Sequence, residues 1–431
     1  MTKSFCVKGQ GVFIFQNQEE YIEFEFFDKH HNNILIIEIF KQEVIMHINQ
    51  SNKIYKTYRD SNNKTGSNTA NCAYYWISIN AQTQQIYVGI GEPRLETVIY
   101  SSQLEFSFKP FLESLMYFNY EKMSTTLLKV LKDPITRNLP LIVRDTNHLT
   151  MSDIAKGTYL PKANLSLISQ KLYDCISGES FVLDDVDFPD FSKAIAHSIL
   201  TPGLWCYNKL QSKSREFNPD HPNILETYLR ITLGENNGES PGIPYVMEIW
   251  PSQHYSPVHS HAGASAIIRV LSGKIHVRLF PFLTSTSEKN ISPFNTANFE
   301  EDDITWITPS LNQTHQLINQ SEELCITIQC YMYESENEKH YDYFDYLDNN
   351  GNIQKYEPDS DMDYISFREL IQKEWEDSFE DIDEKNDEND ENKTLKESNL
   401  VEITTAILWE LWDTANTFFN HLHPVNPDND E

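Results

Sequence analysis

The first part of the chain is a series of short apolar runs cut by polar turns. "YIEFEFFD", "ILIIEIF", "EVIMHI", "YYWISIN", "QIYVGIG" and "ETVIYSS" are rich in β-branched and aromatic residues, the composition of strands. "SNNKTGSNTAN" reads as a polar loop. "YYWISINAQTQQIYVGIGEPR" reads as a hairpin with Trp76 on one arm and Tyr87 on the other. Short strands with no helix between them predict an antiparallel β-sandwich or jelly roll over residues 1–110. A protein or a carbohydrate is the ligand class such sheets suit, but no residue here fixes one, and a structural or docking module is the simpler expectation.

The pattern then changes period. Residues 111–160, with "LESLMYFNYEKMSTTLLKVLKD", read as a helical connector. "NLSLISQKLYDCI" places apolar residues at helical spacing, and "DFSKAIAHSIL" puts an aspartate ahead of an apolar helical run, as at a helix start. Strands return with "YLRITLG", "YVMEIW", "AIIRVLSG", "KIHVRLFP", "DITWITP", "THQLINQ" and "LCITIQCYMY". Residues 161–356 are therefore expected to be a helical prelude followed by a β-barrel. Beyond Tyr356, "SDMDYISFRELIQKEW" suits a helix, and "LVEITTAILWELWDTANTFFNHL" an amphipathic helix carrying Trp409, Trp412 and Phe418. The expected class is mainly β.

Charge sharpens this reading. The formal net charge of -30 argues against nucleic acid and anionic membrane as partners. Eleven acidic residues lie between Glu374 and Glu391, so residues 357–431 are expected to be an acidic tail with a C-terminal helix. No apolar run approaches the length of a membrane span, and the N-terminus lacks a long apolar leader core. Cys6, Cys72, Cys175, Cys206, Cys325 and Cys330 are scattered, without CxxC pairs. A cytoplasmic protein with free thiols is the expectation; a specialised secretion signal in the acidic tail stays compatible with it.

The candidate chemistry lies in "HYSPVHSHAGASAIIRVLSGKIHVRLF". His259 and His261 are one residue apart and face the same side if they lie on a strand. Imidazole suits iron, zinc, copper and nickel. The turn at Gly273 follows, and His315 in "LNQTHQLINQS" lies on a later strand of the same region. Adjacent barrel strands would bring it to the pair. An HxH alone is weak, since the chain has 14 histidines. His421 and His423 supply an internal control: at a helix end, side chains two apart diverge by about 200°, so that pair is assigned no metal.

As a set, His259, His261, Gly273, His315 and Asn319 resemble the cysteine dioxygenase family, thiol dioxygenases of the cupin superfamily, over residues 164–345. The likeness extends upstream to "TYLRI", with Tyr228 and Arg230, and to Trp250 and His254. Downstream it extends to the row Thr327, Gln329 and Tyr331. It implies a double-stranded β-helix binding Fe(II) through His259, His261 and His315. Arg230, with Tyr228, would hold a substrate carboxylate. Tyr331 or Tyr333 would supply a catalytic hydroxyl. His254, Trp250, Thr327 and Gln329 would pack or orient behind the ligands.

Some positions depart from the family pattern. Ser265 and Ala266 stand where a cupin glutamate ligand is expected. Ala266 also replaces the cysteine that many animal members crosslink to the tyrosine, so no thioether can form. Gln329 replaces the histidine of the hydrogen-bonding row. Cys325 and Cys330 read as core thiols. The implied activity is O₂-dependent oxidation of a small aminothiol, L-cysteine first. The alternatives are a catalytically silent cupin acting as a binding or scaffold module, and a zinc or manganese cupin isomerase, which the missing glutamate disfavours.

Overall fold

The computed structural model describes residues 2–387 except 18–20, 41–42, 51–52, 61–72, 121–124, 235–244, 284–291, 334–343 and 358. Cys72, the expected helix with Trp409, Trp412 and Phe418, and the control pair His421 and His423 lie outside the described residues.

Two antiparallel sheets, of six and five strands among the described residues, form the expected sandwich. Their facing sides close over Phe13, Phe15, Phe24, Phe26, Leu35, Ile37, Tyr75, Ile77 and Phe118, all at most 1% exposed. The expected hairpin pairs Ala73–Asn80 with Gln85–Ile90, and Trp76 lies opposite Gly89. A Cβ on Gly89 would fall 2.1 Å from the Trp76 indole, so the missing side chain is what admits the ring.

The sandwich is longer than the apolar runs predicted, and the helical connector over 111–160 is corrected. Lys109–Ser114 and Met151–Lys156 are helical, but Tyr117–Tyr120 and Thr126–Leu131 are strands. Tyr117–Tyr120 pairs with Tyr21–Phe27, and Thr126–Leu131 pairs with Gln10–Asn17. The stretch contains good helix formers such as Leu, Met and Lys, but open edges in the two sheets offer a full ladder of hydrogen bonds, and tertiary context overrides propensity. Val143–Arg144 and Leu160–Pro161 belong to the barrel instead.

The barrel is built from two further sheets. One runs, in spatial order, Leu160–Pro161, Val143–Arg144, Ile304–Ile307, Ser265–Ser272, Cys325–Met332, Tyr245–Trp250, Leu229–Gly234 and Met362–Asp363. The other runs Asn295–Glu300, Lys274–Phe280, Thr314–Ile318, His259–Ser260, Phe344–Leu347 and Ile353–Tyr356. Central strands such as Ser265–Ser272 are buried on both faces. Inside, Val270, Ile275, Val277, Leu279, Phe299 and Leu317 pack together. Outside, the helical prelude Leu167–Ile176 lays Leu172, Tyr173 and Ile176 on Ile267, Ile328 and Cys330. Arg269 Nη1 donates to the carbonyls of Ile176 (2.9 Å) and Gly178 (3.0 Å), closing the end of that helix.

The glycine turn is a hard constraint. Gly273 sits at φ +75°, and a Cβ there would lie 2.3 Å from the Leu324 carbonyl oxygen. Gly273→Ala is expected to cost about 1–3 kcal/mol for the backbone conformation alone, with the clash added, read as a lower urea midpoint.

Chain contacts divide the molecule into Met1–Gln372 and Lys373–Glu431. The helix predicted after Tyr356 runs over Tyr364–Asp387. It continues through the first part of the acidic block, which the sequence reading treated as tail. Closely spaced acids do not forbid a helix when they project into water. Among the described residues no helix is long and apolar enough to cross a membrane. The described cysteines Cys6, Cys175, Cys206, Cys325 and Cys330 are free thiols.

Candidate metal centre

Strand register assembles the histidines. His259 and His315 are direct partners on neighbouring antiparallel strands, a position in which side chains meet. His261 follows on the same segment, where Ala262 (φ 52°) and Gly263 (φ 82°) turn the chain into the next strand. The result is a close triad: His261 Nε2 lies 3.1 Å from His259 Nε2 and 3.1 Å from His315 Nε2.

The other ring nitrogens fix the tautomers of His259 and His315, whereas His261 Nδ1 is buried without a hydrogen-bond partner among the described residues. His259 Nδ1 is 3.0 Å from the Pro257 carbonyl and His315 Nδ1 is 2.9 Å from the Asn312 carbonyl. A carbonyl only accepts, so each Nδ1 carries the proton and each Nε2 presents a lone pair. Burial drives all three rings toward the neutral form, with His259 pushed down to about 3 and His315 to about 4. His261 is lowered well below its ordinary value by burial, with the neighbouring rings adding to it. Two lone pairs therefore point at one further Nε2, which has at most one proton to offer. Such a cluster is repulsive unless a cation lies between the nitrogens. Nitrogens about 2.1 Å from a common ion and at right angles to one another lie about 3.0 Å apart, close to the spacing observed. These donors fit a divalent transition metal, and together they form a His₃ group able to hold one.

Gln313 splints the two ligand segments. Its Oε1 accepts from Gly263 N at 2.9 Å, and its Nε2 donates to the carbonyls of Ala264 (2.8 Å) and Thr308 (2.6 Å). Its own backbone N donates to Glu92 Oε1 of the sandwich at 2.9 Å. Residues that hold ligand segments are typically worth about 10–100-fold in metal affinity. Gln313→Ala is expected to fall in that range by metal titration while the protein remains folded.

The pocket over the triad is a tight cavity of about 10 Å³, room for a single water-sized group. Arg230, Tyr228, Trp250, Gln329 and Tyr331 all line it. Tyr331 stacks on His261 with ring centroids 5.5 Å apart. Burial raises its pKa well above the ordinary value, so it acts as a neutral phenol. Its hydroxyl donates to Gln329 Oε1. Tyr333 packs beside the Tyr331 cluster and does not line the pocket. Ala266 lies directly opposite Tyr331 in the strand register, so a methyl group stands where a crosslinking cysteine would have to be. Trp250 stacks on Tyr228 at 4.2 Å and donates from Nε1 to Thr327 Oγ1 at 3.3 Å.

His254 and Asn319 act at a distance. His254 Nδ1 lies 2.8 Å from the Thr227 carbonyl and 3.2 Å from Thr227 Oγ1. It therefore anchors the strand carrying Tyr228 and Arg230, and does not orient a metal-facing ring. Asn319 is fully buried and donates through Nδ2 to the carbonyls of Trp250 and Glu323, both at 2.8 Å.

The sequence reading missed Glu248. It lies opposite Arg230 in register, and its Oε1 accepts from Arg230 Nη1 at 3.0 Å. Its Oε2 accepts from Gln329 Nε2. A row of buried polar side chains thus runs Arg230, Glu248, Gln329, Tyr331. The signal was present in "YVMEIW": Glu248 shares a strand face with Trp250, so an acid had to lie on the inner side. Phe344, Tyr346 and Tyr356, which complete the pocket wall, carried no such signal.

No family model and no curated protein matches the chain. Among solved structures, it is similar to the cupin domain of an XRE family transcriptional regulator from Enterobacter cloacae. That match has 14% identity over 21% of this chain and 80% of that one, with a TM-score of 0.17. It is similar to an oxalate oxidase in complex with glycolate, with 15% identity over 25% and 50% of the two chains and a TM-score of 0.20. It is also similar to a cupin-superfamily sugar phosphate isomerase from Silicibacter pomeroyi, with 10% identity over 26% and 66% and a TM-score of 0.17. These likenesses do not bear on activity. From its own strand order and paired sheets, the protein is a mainly β chain in which a β-sandwich precedes a two-sheet β-barrel.

Proposed function

We propose that the protein is a non-haem Fe(II) thiol dioxygenase that oxidises a small aminothiol to its sulfinic acid with O₂. The observation that carries the reading is the convergence of three Nε2 atoms, from His259, His261 and His315, beneath a buried pocket. With three neutral protein ligands and no carboxylate among them, Fe(II) bound there would keep positions open for a soft thiolate and for dioxygen. Both oxygen atoms of O₂ end on the sulfur, so the thiol is the reductant and no further electron donor is consumed.

The chain's own groups bind and orient. Tyr331 offers a neutral hydroxyl beside His261, steered by Gln329. Trp250, Tyr228 and Phe344 wall the substrate from water. In the resemblance noted above, Arg230 and Tyr228 would face the carboxylate of L-cysteine.

The test begins with iron-loaded protein, assayed for oxygen consumption with a panel of aminothiols. Uptake that requires both iron and thiol supports the proposal. Iron bound at the triad without thiol-dependent uptake would leave a metal-binding scaffold or a different cupin chemistry in its place.

A further inference from the structure

The charge arrangement of the pocket narrows its substrate. Arg230 and Glu248 are the charged side chains in its wall among the described residues, and they are bonded to each other. They are 4% and 3% exposed. Both carboxylate oxygens of Glu248 accept hydrogen bonds, one from Arg230 and one from Gln329, which is the pattern of an ionised acid. Lys213, whose charge also acts on Glu248, is itself paired with Asp361 at 3.0 Å. Among the described residues, the wall therefore offers a substrate carboxylate no cation other than Arg230, whose Nη1 is already paired with Glu248.

We infer that Glu248 is a specificity-determining residue: it occupies Arg230 as an internal carboxylate, and so selects aminothiols that carry no carboxylate, of the cysteamine type, over L-cysteine. The inference rests on the thiol-dioxygenase reading. An entering carboxylate would have to share one buried guanidinium with Glu248, and two carboxylates in one dry site repel. Displacing Glu248 instead would strand it among Tyr228, Trp250 and Tyr331 without its counter-ion. A thiol with only an amine meets neither obstacle.

The experiment titrates the Co(II)-loaded protein with cysteamine, L-cysteine and L-cysteine amide, following the thiolate-to-cobalt absorption band. The amide has the size of cysteine without its charge. In the wild type, cysteamine and the amide are expected to bind at least about tenfold tighter than L-cysteine, a gap of about 1.4 kcal/mol. Glu248→Gln, which frees the guanidinium, is expected to close or invert that gap. L-cysteine binding to wild type as tightly as cysteamine would overturn the inference alone. So would an amide as weak as the acid, since size and not charge would then decide, or a folded Glu248→Gln protein with an unchanged ratio. Should Glu248→Gln fail to fold, the wild-type ratios still decide. Failure to take up cobalt would instead refute the metal site, and cobalt uptake with no thiolate band for any of the ligands would refute the thiol reading; either removes the inference with it.

Discussion

Replacing His261 with alanine is expected to abolish metal uptake. His261 is the middle member of the triad, 3.1 Å from each of its neighbours. Without it, His259 and His315 leave two nitrogens and no third donor among the described residues that form the site. The loss should exceed the about 10–100-fold that a supporting residue costs. Thermal melting gives a second readout. A ligand present at about 100 times its dissociation constant stabilises a fold by about 2.7 kcal/mol, so wild type should melt higher with Co(II) and His261→Ala should not respond. In the absence of metal the variant should be no less stable, because the substitution also removes a repulsive contact between lone pairs. A variant that still binds one equivalent of metal would place the site elsewhere.

Arg230→Met is expected to lower stability by about 3–5 kcal/mol, since it leaves Glu248 as an unpaired charge in the barrel interior. The pH dependence has a definite sign. Burial already pushes the Glu248 carboxyl up, and Arg230 pulls it back. With the guanidinium gone, the folded-state pKa lies above the unfolded value of about 4.3. A raised carboxyl pKa favours the fold at low pH and disfavours it as pH rises, so the deficit should grow from acid toward neutrality. The double variant Arg230→Met, Glu248→Leu removes both charges, and most of the loss should be recovered. Chemical denaturation across pH for the wild type, both single variants and the double variant measures the coupling. A single variant as stable as wild type at neutral pH would show that the pair is not a buried ion pair.

Much of this arrangement was legible in the chain. The apolar strand runs anticipated both β units, and the two helices of the prelude form at Leu167–Ile176 and Phe191–Leu200. The HxH spacing and the distant His315 are brought together, because the register sets His259 against His315 and His261 follows directly on the short strand His259–Ser260. What could not be read depends on partners distant in sequence. Tyr117–Tyr120 and Thr126–Leu131 become strands only because sheet edges are there to receive them. Arg230 looked like a free clamp because its neighbour across the sheet was unknown; register places Glu248 there. His254 drew attention by its place in the motif, yet its ring bonds Thr227, a contact that only the folded path of the chain creates. Glu92 reaches Gln313 from a point some two hundred residues earlier in the chain, and no local pattern signals such a contact.

The most direct test of the central proposal is product analysis after turnover of iron-loaded protein with cysteamine under heavy-isotope dioxygen. The proposal predicts a sulfinic acid with both of its sulfur-bound oxygens labelled, absent from the His261→Ala protein. A product with oxygen drawn from water, a disulfide alone, or no thiol oxidation by protein that holds iron at the triad would contradict it.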